Sequence, residues 1–397
     1  MAQDFNSQIE YVDYSKEVHE YSEGIPRLLD LAKNYVYDAE RAFQNGKKVV
    51  WGGASWDSPF IYACDYIPVA YTELGRLGSR DAIRIAENQF QLPYETCSMV
   101  KATIGEFYLR KGGINRVLFH SSGCEPYNIA GEILKGIGFD SHNIDTTYRS
   151  SHCNQSEYED LVNFLIGQIQ IAARWLTGTE IDEEKLKIEI KRRNQTMRKI
   201  RKIIELRQKA PFYIRSLPTM YLLMGSSHYF GKPDEYMNVL DTVLAELERE
   251  AKKTNTEKFV PLVWAGSRSQ DFGMYQTIDD SGGAVLAWIT APAFNRDYDE
   301  QLPPLESLAR YLLSSQFAGS VRFRQEEIER QIKQTNARGI IFHHYMGCSF
   351  AGLEQEMLRD YFKKQGIPGL SLEGIFQVGS PPGQVLTRVK ALIEMLV

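Results

Sequence analysis

The chain has 397 residues, 43% hydrophobic and 24% charged, a composition typical of a folded protein of about two or three domains. Its net charge of −5 gives no basis for binding nucleic acid or an anionic membrane surface, and its 12% aromatic content argues against a disordered chain. Since no apolar run approaches the ~18 residues that span a bilayer, and residues 1–20 lack the apolar segment of a signal peptide, we expect a cytosolic protein.

The first 154 residues predict short apolar strands that alternate with helices. Helices are predicted at residues 24–46, 95–110 and 125–137, and strands at 48–51, 66–71, 116–120 and 143–147. Such alternation is typical of a doubly wound parallel sheet, so we predict an N-terminal α/β domain over residues 1–154.

The strand pattern stops after residue 154, where helices are predicted at 155–177, 180–209 and 233–252. We predict that residues 155–255 form a helical insert. Its basic run, residues 191–202, suits the phosphates of a ligand or an acidic partner, although a solvated helix face explains it more simply. A loop at residues 225–230 is a further candidate for the lining of a substrate pocket.

The α/β alternation returns at residue 256. Strands are predicted at 259–264, 284–289, 339–343 and 369–372, and helices at 303–315, 322–336, 350–364 and the chain end. Residues 49–55 resemble 262–267, and residues 117–124 resemble 340–348, in the same order, which indicates a diverged internal repeat. The predicted fold is therefore α/β, with two doubly wound, flavodoxin- or Rossmann-like parallel-sheet domains related by that repeat, the second over residues 256–397.

Five cysteines are scattered along the chain, at positions 64, 97, 124, 153 and 348. They include no Cys-x-x-Cys pair, which excludes a zinc ribbon, a thioredoxin motif and a bacterial ferredoxin run. A disulfide framework is not expected in so long and cysteine-poor a chain. The residues alone leave two alternatives, five small apolar side chains in the core or a subset that binds a metal.

Three of these cysteines stand where an α/β fold binds its ligands. Cys124 and Cys348 each follow a buried strand and precede a helix, and Cys97 also precedes a helix. Ligands bind beyond the carboxyl ends of parallel strands, and a helix N-terminus favours a thiolate. Cys64 lies in an apolar helix flank and fits the core, whereas Cys153 lies in a loop and is a spare ligand candidate. Three thiolates leave one iron of a cubane cluster open for Lewis-acid chemistry.

Segments around these cysteines resemble the 2-hydroxyacyl-CoA dehydratase / benzoyl-CoA reductase family, in particular subunits of the 2-hydroxyglutaryl-CoA dehydratase D-component type. The segment ETCSMVKATIG at residues 95–105 resembles the family's first cluster cysteine motif, and SGC at 122–124 resembles its second. Residues 339–348 and 366–373 resemble its C-terminal third. The resemblance covers nearly the whole chain in order.

The resemblance implies a 4Fe–4S cluster held by Cys97, Cys124 and Cys348, a homologous second subunit, an acyl-CoA substrate and an ATP-hydrolysing iron–sulfur activator protein. In the dehydratases, one electron converts the thioester carbonyl to a ketyl radical and the 2-hydroxyl leaves, giving a 2-enoyl-CoA. In the reductases, related machinery reduces an aromatic ring. The chain has no Walker A or GxGxxG phosphate loop, which fits a separate activator.

The chain departs from the family pattern after its first strand. The family's substrate-handling subunit has a segment that resembles Trp-Ser-x-Ser at this point. This chain has WGGAS at residues 51–55, which leaves Ser55 as the candidate hydroxyl. Ile61 stands at a position where the family frequently has Glu. The chain is therefore either a substrate-handling or an electron-relaying subunit. A non-catalytic electron carrier and a double-cubane reductase are the remaining alternatives.

Three histidines stand at strand ends near the cysteines and are candidates to hydrogen-bond a cluster sulfur or donate a proton. They are His120, His343 and His344. We single out His343 as a candidate catalytic residue, with a capped or partly buried histidine as the alternative interpretation.

Overall fold

The computed structural model describes residues 12–52, 58–73, 80–120, 124–145, 147–253, 258–289, 296–314, 319–379 and 381–397. The strands are β1 (Val49–Gly52), β2 (Ile67–Ala70), β3 (Arg116–His120), β4 (Asp140–Ile144), β5 (Val260–Gly266), β6 (Gly283–Ile289), β7 (Gly339–Tyr345) and β8 (Gly369–Gly374). The helices are α1 (Gly24–Gln44), α2 (Ser58–Ala63), α3 (Arg80–Gln89), α4 (Ser98–Leu109), α5 (Glu125–Gly136), α6 (Gln155–Thr177), α7 (Glu183–Arg207), α8 (Ser216–His228), α9 (Pro233–Glu250), α10 (Gly273–Asp280), α11 (Pro304–Leu313), α12 (Val321–Thr335), α13 (Ser349–Lys364) and α14 (Gly383–Leu396).

The strands form two four-stranded sheets in which every neighbouring pair is parallel. The strand orders are β2-β1-β3-β4 and β6-β5-β7-β8. This confirms the predicted α/β class with two parallel sheets. The two orders correspond strand for strand, but doubly wound sheets of unrelated origin share this order, so the internal repeat stays a prediction. The domain boundaries at residues 154 and 255 also stay predictions.

The central strands form because their side chains are apolar on both faces, as parallel strands covered by helices require. Val117, Leu118 and Phe119 of β3 are all buried. The edge strand β4 differs, since most of its residues are polar. It pairs with β3 from Asp140, opposite Arg116, to Ile144, opposite His120. The strand predicted at 143–147 was therefore placed about three residues too late.

Between the two sheets the chain is helical, as the sequence predicted. Within the described stretch 147–253, residues 155–250 form α6 to α9 and a short 3₁₀ turn, without a strand. Charges of the basic run on α7 have partners within the chain: Lys199 pairs with Asp241, Arg201 with Asp297, and Lys202 with Glu205. These pairs favour the solvated helix face over a phosphate site. Among the described helices, none combines the length and the apolar character needed to cross a membrane.

Residues 225–230 are not a loop that lines a pocket. They form the end of α8 and the turn after it, and the His228 ring stacks on Tyr35 at 4.4 Å between centroids. A Cβ on Gly225 would lie 2.4 Å from the Tyr236 ring, so only glycine allows this approach. The sequence was misleading because α8 is buried on all sides and lacks the polar face that marks an ordinary surface helix.

Candidate metal centre

Each of the three predicted ligand cysteines is the N-cap residue of a helix. Cys97 precedes α4, Cys124 precedes α5 and Cys348 precedes α13. The N–H groups of the first turn act to lower the pKa of each thiol, although none reaches the geometry of a capping hydrogen bond. A helix N-terminus carries partial positive charge, which opposes the effect of burial on each thiol and favours its thiolate form.

Direct contacts between the two α/β regions bring Cys97 and Cys348 together. The Ser98 N–H donates to the Met346 carbonyl at 2.9 Å, and the Phe376 N–H donates to the Ser98 hydroxyl at 3.1 Å. The loop before α4 thereby docks on the turns that follow β7 and β8. The thiols of Cys97 and Cys348 are hydrogen-bonded to each other, and Cys124 is close enough to Cys348 for the two sulfurs to interact electrostatically.

Proton affinities in this group follow from the shared hydrogen bond and from burial. The hydrogen bond from Cys97 lowers the pKa of Cys348 to about 6, and the same bond together with burial raises the pKa of Cys97. Burial raises the pKa of Cys124 to about 11. Buried thiols with these neighbours ionise together only when a cation compensates their charge, which is the condition that metal binding supplies.

The three thiols are separate soft donors, and their chemistry is compatible with an iron–sulfur cluster. Among the described residues, no group of three or more His, Cys, Asp or Glu side chains converges as the ligands of one ion would. A cubane cluster distributes its protein ligands over separate irons, so its cysteines do not meet at one point. Three thiols at three helix N-termini are soft donors of the kind that iron and sulfide require.

The other two cysteines have different surroundings. Cys64 is buried in an apolar cluster with Phe60 and Leu118, and burial raises its pKa to about 12, which agrees with an inert core position. Cys153 is partly exposed in the turn before α6, where its thiol donates to the Asn154 carbonyl at 3.6 Å.

Burial favours the neutral form of the predicted histidines His343 and His120. Burial lowers the pKa of His343 to about 3 and that of His120 to about 4. The His343 ring packs against Trp264 and Tyr345, with Nδ1 3.0 Å from the Ser267 carbonyl, while Nε2 has no hydrogen-bond partner among the described residues.

His344 and Ser55 complete the predicted set. His344 bonds Gln355 at 2.9 Å and lies near enough to Cys348 to lower the pKa of that thiol. Ser55 lies outside the described residues.

Several buried polar groups between the two α/β regions had no signal in the sequence. Arg268, after β5, donates from Nη1 to the Glu73 carboxylate at 2.7 Å, so the pair joins the two α/β regions, and the Tyr345 hydroxyl donates to the Arg268 carbonyl. Gln270 is 1% exposed, and neither its amide N nor its amide O has a hydrogen-bond partner in the described part of the chain. Tyr127 lies beside Cys97 and Cys124. Single polar residues in loops carry no periodicity, so only the structure identifies them.

The approach of the two cysteine loops predicts a specific effect of Gly347→Ala. Gly347 has φ +78°, and a Cβ there would lie 2.4 Å from the Glu95 carbonyl oxygen and 2.7 Å from the Thr96 carbonyl carbon. We expect this change to lower the free energy of unfolding, measured by urea denaturation, by more than the ~1–2 kcal/mol of left-handed strain alone. Gly366→Ala is the matched control, because Gly366 has the same φ with nothing within 4 Å of its Cβ position. Equal effects of the two changes would contradict the close approach.

A comparison with protein families matches most of the chain to one family. The family model described as 2-hydroxyglutaryl-CoA dehydratase, D-component, matches residues 58–396. That range includes all three N-cap cysteines and seven of the eight strands, β2 to β8. No curated protein shows a significant match to the chain.

Proposed function

This chain belongs to the 2-hydroxyglutaryl-CoA dehydratase D-component family, and from that membership we propose that it is one subunit of an iron–sulfur-dependent (R)-2-hydroxyacyl-CoA dehydratase. The observation that carries the proposal is that Cys97, Cys124 and Cys348 each precede a helix, with Cys97 hydrogen-bonded to Cys348 at the contact between the two α/β regions and Cys124 near enough to act on Cys348 electrostatically.

In this proposal Cys97, Cys124 and Cys348 hold a 4Fe–4S cluster. When bound, such a cluster supplies a low-potential one-electron centre with one iron lacking a cysteine ligand. The chain's own contribution is to hold the three sulfurs, to direct helix N–H groups towards their negative charge and to bury them from water. Burial is substantial, since Cys97 is 4% exposed.

The proposed reaction removes the 2-hydroxyl and a hydrogen from C3 of the acyl chain as water and leaves a 2-enoyl-CoA. This elimination involves no net oxidation or reduction, so the electron that forms the ketyl radical at the start is returned at the end. A separate ATP-hydrolysing iron–sulfur activator provides that electron, because the chain has no phosphate loop of its own. His343 stays a candidate to hydrogen-bond a cluster sulfur or donate a proton, and Ser55 is a candidate hydrogen-bond donor to substrate.

Ile61 and Gly52 favour an electron-relaying role for this chain beside a substrate-handling partner. Ile61, where the family frequently has Glu, is fully buried against Phe60 and Leu118, so it presents no polar group to a substrate. Gly52 ends β1 without a side chain. We therefore propose that a homologous second subunit contributes polar groups that contact the acyl-CoA.

Metal analysis and turnover together test the proposal. We expect anaerobically purified chain to contain about four irons and four sulfides. We expect no turnover by the chain alone, but conversion of a 2-hydroxyacyl-CoA when the homologous subunit and reduced activator are added, followed by mass spectrometry of the thioester.

The assay also separates the alternatives. Loss of water identifies the dehydratase, whereas gain of two hydrogens by an aromatic acyl-CoA identifies a ring reductase. Cluster oxidation without change in any thioester identifies an electron carrier. Zinc in place of iron, or no metal after anaerobic reconstitution, contradicts the proposal.

A further inference from the structure

A cavity of about 240 Å³ lies beside β6, the outer strand of the second sheet. Arg201 and Ile204 of α7 line it on one side, Arg330 of α12 on another, and Leu286 and Trp288 of β6 line it from the sheet. Sites for drug-sized ligands measure about 300–1,000 Å³, so this cavity suits a smaller organic molecule.

The Trp288 indole indicates that the cavity binds a ligand. Trp288 is 2% exposed, and its Nε1 atom has no hydrogen-bond partner among the described residues. The other three tryptophans that the structure describes, Trp51, Trp175 and Trp264, donate from Nε1 to oxygen at 3.2, 2.8 and 2.8 Å. A buried donor without a partner is destabilising, so an acceptor from outside the chain explains this indole best.

The outer edge of β6 changes its surroundings at the cavity. The Val285 carbonyl accepts from Arg207 Nη1 at 2.7 Å, and the Val285 N–H donates to the Ser216 hydroxyl at 3.2 Å. The pairing with β5 then shifts register, so that Leu286 has no partner residue on β5. Side chains of α7 and α8 thus cover the edge at Val285, whereas the next residues, through Trp288, line the cavity. Such bulges are frequent next to binding sites because they re-aim side chains.

The two arginines that line the cavity differ in what they can still bind. Arg330 donates from Nε and Nη2 to Glu327 and from Nη1 to Gln334. Arg201 donates to both Asp297 carboxylate oxygens, at 2.9 and 2.8 Å, through Nη2 alone. In the described part of the chain its Nε and Nη1 atoms donate no hydrogen bond, so Arg201 has donors for a further anionic oxygen.

We propose that this cavity binds a small carboxylic acid with an apolar body. Its carboxylate accepts hydrogen bonds from Trp288 Nε1 and from the Arg201 guanidinium, and its apolar part lies against Ile204, Leu223 and Leu286. A carboxylate is favoured over a neutral amide because its bond to a guanidinium is charge-assisted. The site is independent of the proposed cluster and of the proposed dehydratase activity.

The experiment titrates the full-length chain by isothermal titration calorimetry with benzoate, and with benzamide as a neutral molecule of the same shape. We expect saturable benzoate binding at one site per chain. Benzamide should bind at least about tenfold more weakly, because it forms no charge-assisted hydrogen bond. Absence of saturable benzoate binding, or equal binding of the two compounds, overturns the proposal.

Variants then locate the bound benzoate. Trp288→Phe keeps an aromatic ring and removes the donor, and should raise the benzoate Kd about fivefold. Trp175→Phe is the matched control, because the Trp175 indole already donates to Asp140, and its Kd should not change.

A second pair of variants keeps the test decisive if Trp288→Phe fails to fold. Arg201→Gln changes a partly exposed side chain and should raise the benzoate Kd about tenfold. Arg198→Gln removes the same charge from the same helix outside the cavity lining and should leave the Kd unchanged. An unchanged Kd in a folded Trp288→Phe or Arg201→Gln protein would show that benzoate binds elsewhere and would overturn the assignment.

Discussion

We expect Cys97→Ala, Cys124→Ala and Cys348→Ala each to abolish stable cluster binding by this chain. Each change leaves two thiolates, which do not satisfy the irons of a cubane that needs cysteine at most of its corners. The loss should be nearly complete for all three positions, because each sulfur comes from a different helix N-terminus and no second cysteine follows on the same turn. Iron and sulfide analysis with visible absorption after anaerobic reconstitution measures the effect.

Cys64→Ala is the matched control for these changes. Cys64 is 3% exposed in a different apolar cluster, so its loss should cost about 1 kcal/mol of stability and leave the iron content unchanged. Cys153→Ala tests the spare ligand in the same way. Iron retained by Cys348→Ala but lost in Cys64→Ala would overturn the ligand assignment.

The second large effect concerns the Arg268–Glu73 ion pair. The Arg268 and Glu73 side chains are 12% and 1% exposed, and they join the turn after β5 to the turn after β2. Removing one member deprives the other buried charge of its ion-pair partner, which costs about 3–5 kcal/mol. We therefore expect Arg268→Met to lower the free energy of unfolding by that amount in urea denaturation.

Two further variants test the cause. The double change Arg268→Met with Glu73→Leu should destabilise the protein less than Arg268→Met alone, because it removes both charges together. Arg322→Ala removes an arginine from an exposed pair with Glu326, whose side chains are 71% and 52% exposed, and should have no measurable effect. Similar losses in Arg268→Met and Arg322→Ala would show that the buried pair does not stabilise the contact.

The sequence predicted those elements of the fold in which the pattern of apolar and polar side chains matches the burial of the element. Strands β3 and β7 are apolar and buried on both faces, and both were found within two residues of their bounds. The polar edge strand β4 and the uniformly apolar helix α8 were misplaced or missed, because neither has the periodicity of its own element. Tertiary packing, rather than local preference, determines both.

The same distinction applies to the candidate metal centre. The three cysteines were singled out because each stands between a loop and a helix, a pattern visible in a single sequence, and as a ligand set they stay a prediction. The contacts that hold their loops together could not be predicted, because they depend on backbone bonds such as Ser98 N–H to Met346 carbonyl, which any residue types can form. Arg268, Gln270 and Tyr127 were missed for a similar reason, since a buried polar side chain is recognised only by what surrounds it.

The docking of the loop before α4 onto the turns after β7 and β8 has a consequence for the order of assembly. Ser98 and Phe376, which share a hydrogen bond in this contact, are 278 residues apart in the chain. During synthesis the N-terminal region leaves the ribosome long before its docking partner exists, and domains fold largely as they emerge. Cys97 and Cys124 therefore lie in a region that folds before the last strand, β8, is synthesised. In the proposed cluster-binding protein, delivery of iron and sulfide is then a late event that follows chain completion, and the two halves expressed separately lack the complete set of thiols.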